Sequence, residues 1–305
     1  MKTLRRPQDS FMLILYYSTM WGRTLRVPES GLAGVEFTTD RRRYASAHAV
    51  IFHIPQLNYG RWLFLPAKLP GQLWVAWSEE SEENHPLVRH PRFVNRFDLT
   101  MTYRRTADIP VFYLPNDKNL VHGLRQAIPP KISEPLVAAF VSSSFNRSRR
   151  KEYIQELTRY LPIASYGSFL RNRTLADDQG PASKLETIAR YKFTLAFENS
   201  CCEDYVTEKF YEPLLAGSVP IYLGAPNVEQ FAPGEHCFID TANFRDPRHL
   251  AEYLRALDGD DAAYQAYFAW KERPYRAEFQ NLLAFTNVTT AERLCERIRA
   301  KLKGG

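Results

Sequence analysis

The sequence predicts an α/β protein with parallel sheets. In the C-terminal half, short runs of apolar, β-prone residues alternate with segments that have helical periodicity. Such alternation is typical of parallel sheets, because each helix returns the chain to the same end of the sheet. In the N-terminal part, similar apolar runs are separated by Gly, Pro and Asn, whereas helical periodicity is weak.

The individual elements follow from these patterns in chain order. Polar residues at 116–133, including Pro129 and Pro130, predict a linker. Gly217 is a natural left-handed terminator for the helix before it. The predicted strands are residues 12–18, 49–54, 73–78, 99–103, 110–113, 136–141, 163–166, 193–197, 219–223 and 236–240, and the predicted helices are residues 148–161, 185–191, 207–216, 248–257, 262–271 and 290–303.

The apolar run at residues 11–17 is predicted to be a buried first strand rather than a membrane anchor or a signal peptide. It is far shorter than the ~20 residues that a bilayer requires. No small-residue cleavage site follows it. We therefore expect a soluble chain, although a lumenal domain without its anchor would have the same pattern.

Charge and missing motifs disfavour several classes of protein. The chain has 40 Lys and Arg against 34 Asp and Glu, which gives a net charge of +6. This excess suits an anionic ligand, a membrane surface or nucleic acid, but the basic residues are spread along the chain rather than gathered in a stripe.

Four cysteines without a Cys-x-x-Cys pair disfavour a disulfide scaffold and a structural zinc site. The glycine motifs of dinucleotide and P-loop sites are missing, and no Asp-x-Asp ends a strand.

The main candidate site follows the third predicted strand of the C-terminal half. Ligands of parallel sheets bind beyond the carboxyl ends of the strands. Here a polar loop leads from Glu198 to a helix that Thr207 or Asp204 can cap. The helix amides and Lys209 would attract a phosphate, and Glu208 can accept hydrogen bonds from sugar hydroxyls. An ordinary helix start with a solvated Glu-Lys pair fits the spacing equally well.

Two other predicted strand ends carry chemically useful groups. Gly167 would let the backbone approach a ligand, and Arg171 can bind phosphate oxygens, although a basic surface turn would have the same residues. One of the carboxylates of the acidic stretch Glu79-Glu80-Ser81-Glu82-Glu83, which follows the strand at 73–78, can act as a general base for a hydroxyl. A solvated acidic loop is the commoner arrangement for such a stretch.

Longer motifs surround these residues. They are Tyr191-Lys-Phe-Thr-Leu-Ala-Phe-Glu-Asn-Ser200, Asp204-Tyr-Val-Thr-Glu-Lys-Phe210, Ala216-Gly-Ser-Val-Pro220, Gly224-Ala-Pro-Asn227, Glu229-Gln-Phe-Ala-Pro233, Ser165-Tyr-Gly167 with Arg171-Asn172, Trp77-Ser-Glu-Glu-Ser81 with Asn84, and Met101-Thr-Tyr-Arg-Arg-Thr-Ala-Asp108. Together they closely resemble the signature of the α1,3-fucosyltransferases, the inverting GT-B enzymes of glycosyltransferase family 10 that use GDP-fucose. The resemblance is greatest to the plant-type enzymes that fucosylate the N-glycan core.

The resemblance implies a GT-B fold, with two Rossmann-like domains that face a cleft. It implies an acceptor-binding domain at residues 1–125, a GDP-fucose-binding domain at 126–290 and a basic helix at 291–305. The implied reaction is the inverting transfer of L-fucose from GDP-β-L-fucose to O3 of a GlcNAc-containing glycan, which forms an α1,3-fucoside. The two domains must approach each other, because base and donor belong to different halves.

Carried over position by position, the resemblance assigns catalysis to one residue and donor binding to seven. Glu80 would be the catalytic base. Arg171 and Lys209 would hold the diphosphate. The remaining donor-binding residues would be Glu208 on the ribose, Glu198 near the fucose, and Asn199, Tyr205 and Gly167.

Two positions depart from the family pattern. Glu82 stands where the family usually has proline, and Cys295 keeps only the second cysteine of a pair found in plant-type enzymes. The missing disulfide favours a cytoplasmic, bacterial-type enzyme over a Golgi lumenal domain without its anchor.

No cofactor is expected to be required, and a divalent ion such as Mn²⁺ or Mg²⁺ would at most stimulate. The expected partners are GDP-fucose and a GlcNAc-containing glycoconjugate, without nucleic acid. The C-terminal helix could rest on an anionic membrane, although packing on the protein body is favoured. Two alternatives remain open: a GT-B transferase that uses another nucleotide sugar, and a basic glycan- or nucleic-acid-binding protein without turnover.

Overall fold

The computed structural model shows two compact α/β units. It describes residues 11–20, 22–23, 27, 32–57, 64–114, 118–175 (backbone only for 118–120) and 177–304. The first unit combines residues 1–111 with 288–305, and the second comprises residues 112–287. The sequence analysis predicted domain boundaries between residues 125 and 126 and between residues 290 and 291. These boundaries divide the chain by function, and they stay predictions.

Each unit contains one parallel sheet. The first has the strand order β2-β1-β3-β4-β5-β6, and the second has the order β11-β10-β9-β7-β8. The strands are β1 (Met12–Tyr16), β2 (Val35–Thr38), β3 (Ala49–His53), β4 (Leu73–Ser78), β5 (Leu99–Thr102), β6 (Ile109–Pro110), β7 (Val137–Ala139), β8 (Ile163–Ser165), β9 (Phe193–Phe197), β10 (Val219–Leu223) and β11 (Ile239–Asp240). The helices are α1 (Pro91–Val94), α2 (Lys118–Leu124), α3 (Arg150–Leu157), α4 (Pro181–Ala189), α5 (Glu208–Ala216), α6 (Pro247–Asp258), α7 (Asp261–Ala266), α8 (Ala277–Thr286) and α9 (Thr290–Lys303).

The first sheet has apolar clusters on both faces, which explains why its central strands β1, β3 and β4 are nearly continuous apolar runs, whereas β2 and β5 alternate. Ile14 of β1 belongs to the cluster on one face, and its neighbour Leu15 belongs to the cluster on the other. Helix α9 covers the first of these faces with Leu294 and Ile298, which are fully buried. This part of the apolar stripe therefore belongs to the core, whereas Leu302 in the last turn is exposed, and the contact of the helix with a membrane stays a prediction.

The second sheet is centred on β9, which pairs with β7 on one side and β10 on the other. All five residues of β9 are buried. The helix that follows, α5, ends at Gly217, whose φ of 70° is the left-handed conformation predicted for it. The carboxyl ends of β7, β8, β9 and β10 lie along one edge of this parallel sheet, where the loops of interest begin.

The prediction of a linker at 116–133 is wrong. This segment belongs to the second unit, and Leu124 at the end of α2 is fully buried. Two lysines hold the segment by donating to backbone carbonyls: Lys271 Nζ to Leu124 O at 2.7 Å, and Lys131 Nζ to Ala189 O at 2.7 Å. One of these contacts comes from a polar side chain of the segment itself, Lys131, and the other comes from Lys271 outside it.

Four elements were missed, β2, α1, α2 and α8, and several predicted strands end one or more residues earlier in the structure. Within the described residues, no helix has both the length and the apolar character that a membrane span needs. The four cysteines are present as free thiols.

Candidate functional site

Unusual backbone conformations mark the carboxyl edge of the second sheet. Among the described residues, the non-glycine positions with positive φ are Arg149, Leu170, Asp204 and His236, with φ of 58°, 52°, 63° and 53°. Arg149, Leu170 and Asp204 lie in the loops after β7, β8 and β9, whereas His236 precedes β11 at the opposite edge of the sheet. Such conformations are uncommon outside glycine, and they concentrate at functional sites. The loops at this edge are therefore held in defined conformations rather than being simple connections.

The loop between β9 and α5 brings three predicted site residues together around Thr207. Thr207 caps α5, since its hydroxyl accepts a hydrogen bond from the Lys209 amide. The fully buried carboxylate of Glu198 accepts from the Thr207 amide and hydroxyl, both at 2.8 Å. The Lys209 Nζ lies 3.4 Å from Glu198 Oε2 and donates to Glu208 Oε1 at 3.0 Å. A lysine ammonium is thus held between two carboxylates at the N-terminus of a helix.

The pKa values of Lys209 and Glu208 favour their charged forms, whereas that of Glu198 is shifted the other way. Burial acts to lower the pKa of Lys209, but the charges of Glu198 and Glu208 outweigh it and raise that pKa. Burial likewise acts against ionised Glu208, but Lys209 brings its pKa below the usual value. Burial dominates for Glu198 and raises its pKa. About a fifth of the Lys209 side chain remains exposed, at 22%, so Lys209 is neither sealed in the core nor a solvated surface residue.

Asn199 and Tyr205 lie in the same loop, and both are buried. The Asn199 carbonyl accepts from the Ser148 amide at 3.1 Å, and the Tyr205 ring meets Tyr113 edge-on, with centroids 6.2 Å apart. The alternative cap, Asp204, does not cap α5 but pairs with a side chain of the loop after β10. The loop between β9 and α5 therefore contains Asn199 and Tyr205 as well as Glu198, and it leads directly to Glu208 and Lys209 at the start of α5.

In the loop after β8, Gly167 is required by packing. A Cβ atom there would lie only 2.2 Å from the carbonyl oxygen of Val141 in the neighbouring loop. Close approach to another backbone segment therefore accounts for this glycine, and its contact with a ligand stays a prediction. Arg171 is exposed and its Nε donates to the Gly167 carbonyl at 3.3 Å. Asn172 fixes the loop, because its side chain bonds both Ser165 N and Ile163 O at 2.9 Å.

Arg150, at the start of α3, is a buried charge that the sequence did not single out. Its guanidinium donates to the carbonyl oxygens of Phe197 at 2.9 Å and Phe145 at 3.3 Å, so it ties the end of β9 to the loop after β7. Its positive charge also acts on Lys209, where it opposes the increase in pKa that Glu198 and Glu208 cause. The run at 147–151 contains four basic residues, and no sequence signal marks one of them as buried.

In the first unit, Glu80 follows β4 and lines a pocket of about 210 Å³. Glu80 is partly exposed, and its carbonyl accepts from the Ser78 hydroxyl at 3.0 Å. The neighbouring Glu82 lines the same pocket but is buried, and its Oε1 accepts from Arg89 at 2.8 Å and from Arg104. Glu80 therefore lines a pocket of the first unit, a placement that a general base would require.

The described residues contain no group of three or more His, Cys, Asp or Glu side chains that could hold a metal ion. The metal requirement stays a prediction.

Sequence comparison relates both halves of the chain to known families. Residues 131–303 match the family described as "Glycosyltransferase family 10 (fucosyltransferase) C-term", and residues 9–114 match "Fucosyltransferase, N-terminal". The chain is 36% identical over 282 residues to the human protein named GDP-fucose protein O-fucosyltransferase 3, an alignment that covers 86% of this chain and 58% of the human protein. It is 30% identical to the Xenopus laevis protein of the same name, with coverage of 99% and 71%. The chain thus spans little more than half the length of its human relative.

Solved structures share the fold at low sequence identity. A crystal structure of an α1,3-fucosyltransferase with GDP-fucose has a TM-score of 0.60 and 17% identity, and the match covers 93% of this chain and 92% of that one. A structure of an α1,3-fucosyltransferase with GDP has a TM-score of 0.57 and 16% identity. The fold is GT-B, with a Rossmann-like α/β sheet in each unit, as predicted. The chain belongs to glycosyltransferase family 10, the fucosyltransferases.

Proposed function

We propose that the protein is a fucosyltransferase that uses GDP-fucose. The observation that carries this proposal is the ammonium of the partly exposed Lys209, held between Glu198 and Glu208 at the N-terminus of α5. Membership of the family and the name of the vertebrate relatives, which specifies GDP-fucose, support the same donor.

The donor diphosphate would bind at the carboxyl edge of the second sheet. The first amides of α5 and the Lys209 ammonium supply positive charge, and Arg171 in the loop after β8 supplies a second cation. Glu208 would accept from the ribose hydroxyls, while Asn199 and Tyr205 shape the loop. Because the Glu198 carboxylate is buried against Thr207 and Lys209, its proposed contribution near the fucose is to position these two residues.

The reaction would be a single displacement at the fucose anomeric carbon. Glu80 takes the proton of the acceptor hydroxyl as that oxygen bonds to the carbon. The bond from the carbon to the β-phosphate oxygen breaks, and its electron pair leaves with GDP. Lys209, Arg171 and the helix amides stabilise the charge that develops on the departing diphosphate. One displacement inverts the configuration, so a β-linked donor yields an α-fucoside.

The acceptor that we propose is a hydroxyl of a protein. The relatives at 30–36% identity have protein O-fucosyltransferase in their names, whereas the α1,3-fucosyltransferases of known structure are only 15–17% identical. The second candidate is O3 of GlcNAc in an N-glycan or other glycoconjugate, which the motif resemblance to plant-type enzymes supports. A cytoplasmic location, a metal-independent reaction and a membrane contact through α9 stay part of this proposal.

The proposal is tested by assaying GDP release and fucose transfer with purified protein, with and without a chelator. Glu80→Gln should abolish transfer while GDP binding persists, and GDP but not UDP should compete with the donor. Folded Ser/Thr-containing protein domains and GlcNAc-terminated oligosaccharides, compared in one assay with linkage analysis of the products, decide the acceptor. A lack of measurable heat on titration with GDP, or equal competition by UDP, would reject the donor assignment.

A further inference from the structure

We infer that Glu82 is a positioning residue for the loop that carries Glu80, and that it acts through its ion pairs with Arg89 and Arg104. The inference rests on the proposed role of Glu80. It concerns the position where this chain has glutamate and the family pattern has proline.

The turn that contains Glu82 is compact and buried. Ser81 is fully buried, and its carbonyl accepts hydrogen bonds from the amides of Asn84 at 3.1 Å and His85 at 3.0 Å. On the other side of the turn, the Ser78 hydroxyl donates to the Glu80 carbonyl. Glu80 and Glu82 therefore lie within a short segment whose backbone is held at both ends.

The side chain of Glu82 connects this turn to two other elements. Its Oε1 accepts from Arg104, which follows β5, and from Arg89 at the end of the short 3₁₀ turn at residues 86–89. Strands β4 and β5 are paired, with Ser78 opposite Thr102. The ion pairs thus join the loops at the carboxyl ends of two adjacent strands, directly beside Glu80.

The charge state of Glu82 fits this connecting role. Burial acts to raise its pKa, but hydrogen bonds from Arg104 and Arg89 outweigh burial, and the resulting pKa is below the usual value. Only 8% of the Glu82 side chain is exposed, against 26% for Arg104 and 58% for Arg89. Arg104 is therefore the less solvated partner, and its pair with Glu82 is the less screened by solvent.

A proline at this position would stiffen the turn by fixing φ and removing an amide. The backbone of a glutamate has neither of these restraints. The buried carboxylate of Glu82 instead restrains the turn through its contacts with two guanidinium groups. We therefore expect the ion pairs to replace the rigidity that proline would otherwise provide. A general base displaced by about 1 Å can lose roughly a hundredfold in rate, so this restraint matters for turnover.

The kinetic test compares Glu82→Gln with the matched control Glu83→Gln, whose parent residue is the adjacent, partly exposed glutamate. Glu82→Gln should lower kcat about tenfold or more, with the KM for GDP-fucose within about twofold of wild type. Glu82→Pro should recover part of the lost kcat, and Glu83→Gln should retain wild-type values. Unchanged kcat in Glu82→Gln, or an effect confined to the KM for GDP-fucose, would overturn the inference.

Hydrogen exchange provides a second measurement that does not depend on activity. Glu82→Gln should increase amide exchange in the peptide covering residues 78–85, whereas Glu83→Gln should not; equal exchange in both variants would overturn the inference. Wild type and Glu80→Gln are assayed alongside. Transfer retained in Glu80→Gln would reject the proposed function, whereas the exchange data would still decide whether Glu82 positions the loop.

Discussion

Asp204 and Asn227 exchange two hydrogen bonds, each 2.9 Å long, between the loops that follow β9 and β10. The Asp204 amide donates to Asn227 Oδ1, and Asn227 Nδ2 donates to Asp204 Oδ1. Asp204 has a φ of 63°, a conformation that costs a non-glycine residue free energy unless its surroundings stabilise it. The pair supplies that stabilisation, and it fixes the backbone immediately before Tyr205 in the proposed donor site.

We expect Asn227→Asp to weaken donor binding strongly. The substitution places two carboxylates against each other, where like charges repel and the side-chain hydrogen bond is lost. The KM for GDP-fucose should rise about tenfold or more, with a smaller change in kcat. Steady-state kinetics with varied donor concentration measure this, and lowering the pH should restore part of the affinity, because protonation of one carboxyl removes the repulsion.

The exchanged double variant Asp204→Asn with Asn227→Asp is the control for this prediction. It restores one amide and one carboxylate in the pair, and asparagine tolerates the left-handed conformation at least as well as aspartate. Its KM should return to within about threefold of wild type. A double variant as impaired as Asn227→Asp would show that the pair does not act through these two hydrogen bonds.

Lys209→Ala should weaken GDP binding. A charge-assisted hydrogen bond to phosphate contributes about 1.5–3 kcal/mol, so the Kd for GDP should rise by about ten- to a hundredfold. Lys192→Ala is a suitable control, since this lysine lies before β9 and pairs with Asp258 at 2.6 Å. Calorimetric titration of both variants measures the effect, and an equal loss of affinity in both would contradict the proposed diphosphate site.

Gly167→Ala should destabilise the second unit. The new methyl group would lie 2.2 Å from the Val141 carbonyl oxygen, and backbone atoms on both sides would have to move. We expect a loss of about 3 kcal/mol or more in the free energy of unfolding, measured by urea denaturation. Gly259→Ala provides the comparison, because its Cβ would meet no atom closer than 3.6 Å. Similar losses in the two variants would mean that the clash is relieved at little cost.

The parts of the fold that depend on local pattern could be predicted from the sequence. Strands β9 and β10 have the predicted limits, because each is a run of five apolar or β-prone residues bounded by polar ones. Helix α5 begins after Thr207 and ends at Gly217, since both are local capping signals. Local signals also placed Glu198 and Lys209 at the carboxyl edge of the sheet.

The parts that depend on distant partners could not be predicted. The bond between Asp204 and Asn227 joins residues 23 positions apart, and no local pattern specifies it. The burial of Arg150 depends on carbonyl groups at the end of β9 and in the loop after β7. The short β2 was missed because its four residues, Val35–Thr38, become a strand only by pairing with β1.

The two lysines that hold residues 118–133 should make stability depend on pH. Burial, and secondarily the charge of Lys271, lowers the pKa of Lys131 to about 8. Burial, and secondarily the charge of Arg125, lowers the pKa of Lys271 to about 8. Below pH 8 the folded and unfolded chains both bind these protons, so the two groups add no slope. Between pH 8 and the unfolded value of about 10.4 the unfolded chain binds more protons, and the free energy of unfolding should therefore rise with pH.

The measurement is urea denaturation of wild type and of the double variant Lys131→Met with Lys271→Met at intervals from pH 7 to 9.5. Tyrosines with raised pKa values, such as Tyr153 at about 12, oppose this trend as the pH approaches 10, because the unfolded chain then loses its phenolic protons first. The difference between the two proteins removes that contribution, as both keep the same tyrosines. Wild type should gain stability relative to the double variant as the pH rises above 8, and a difference that stays constant would mean that the two ammonium groups are not destabilised in the folded chain.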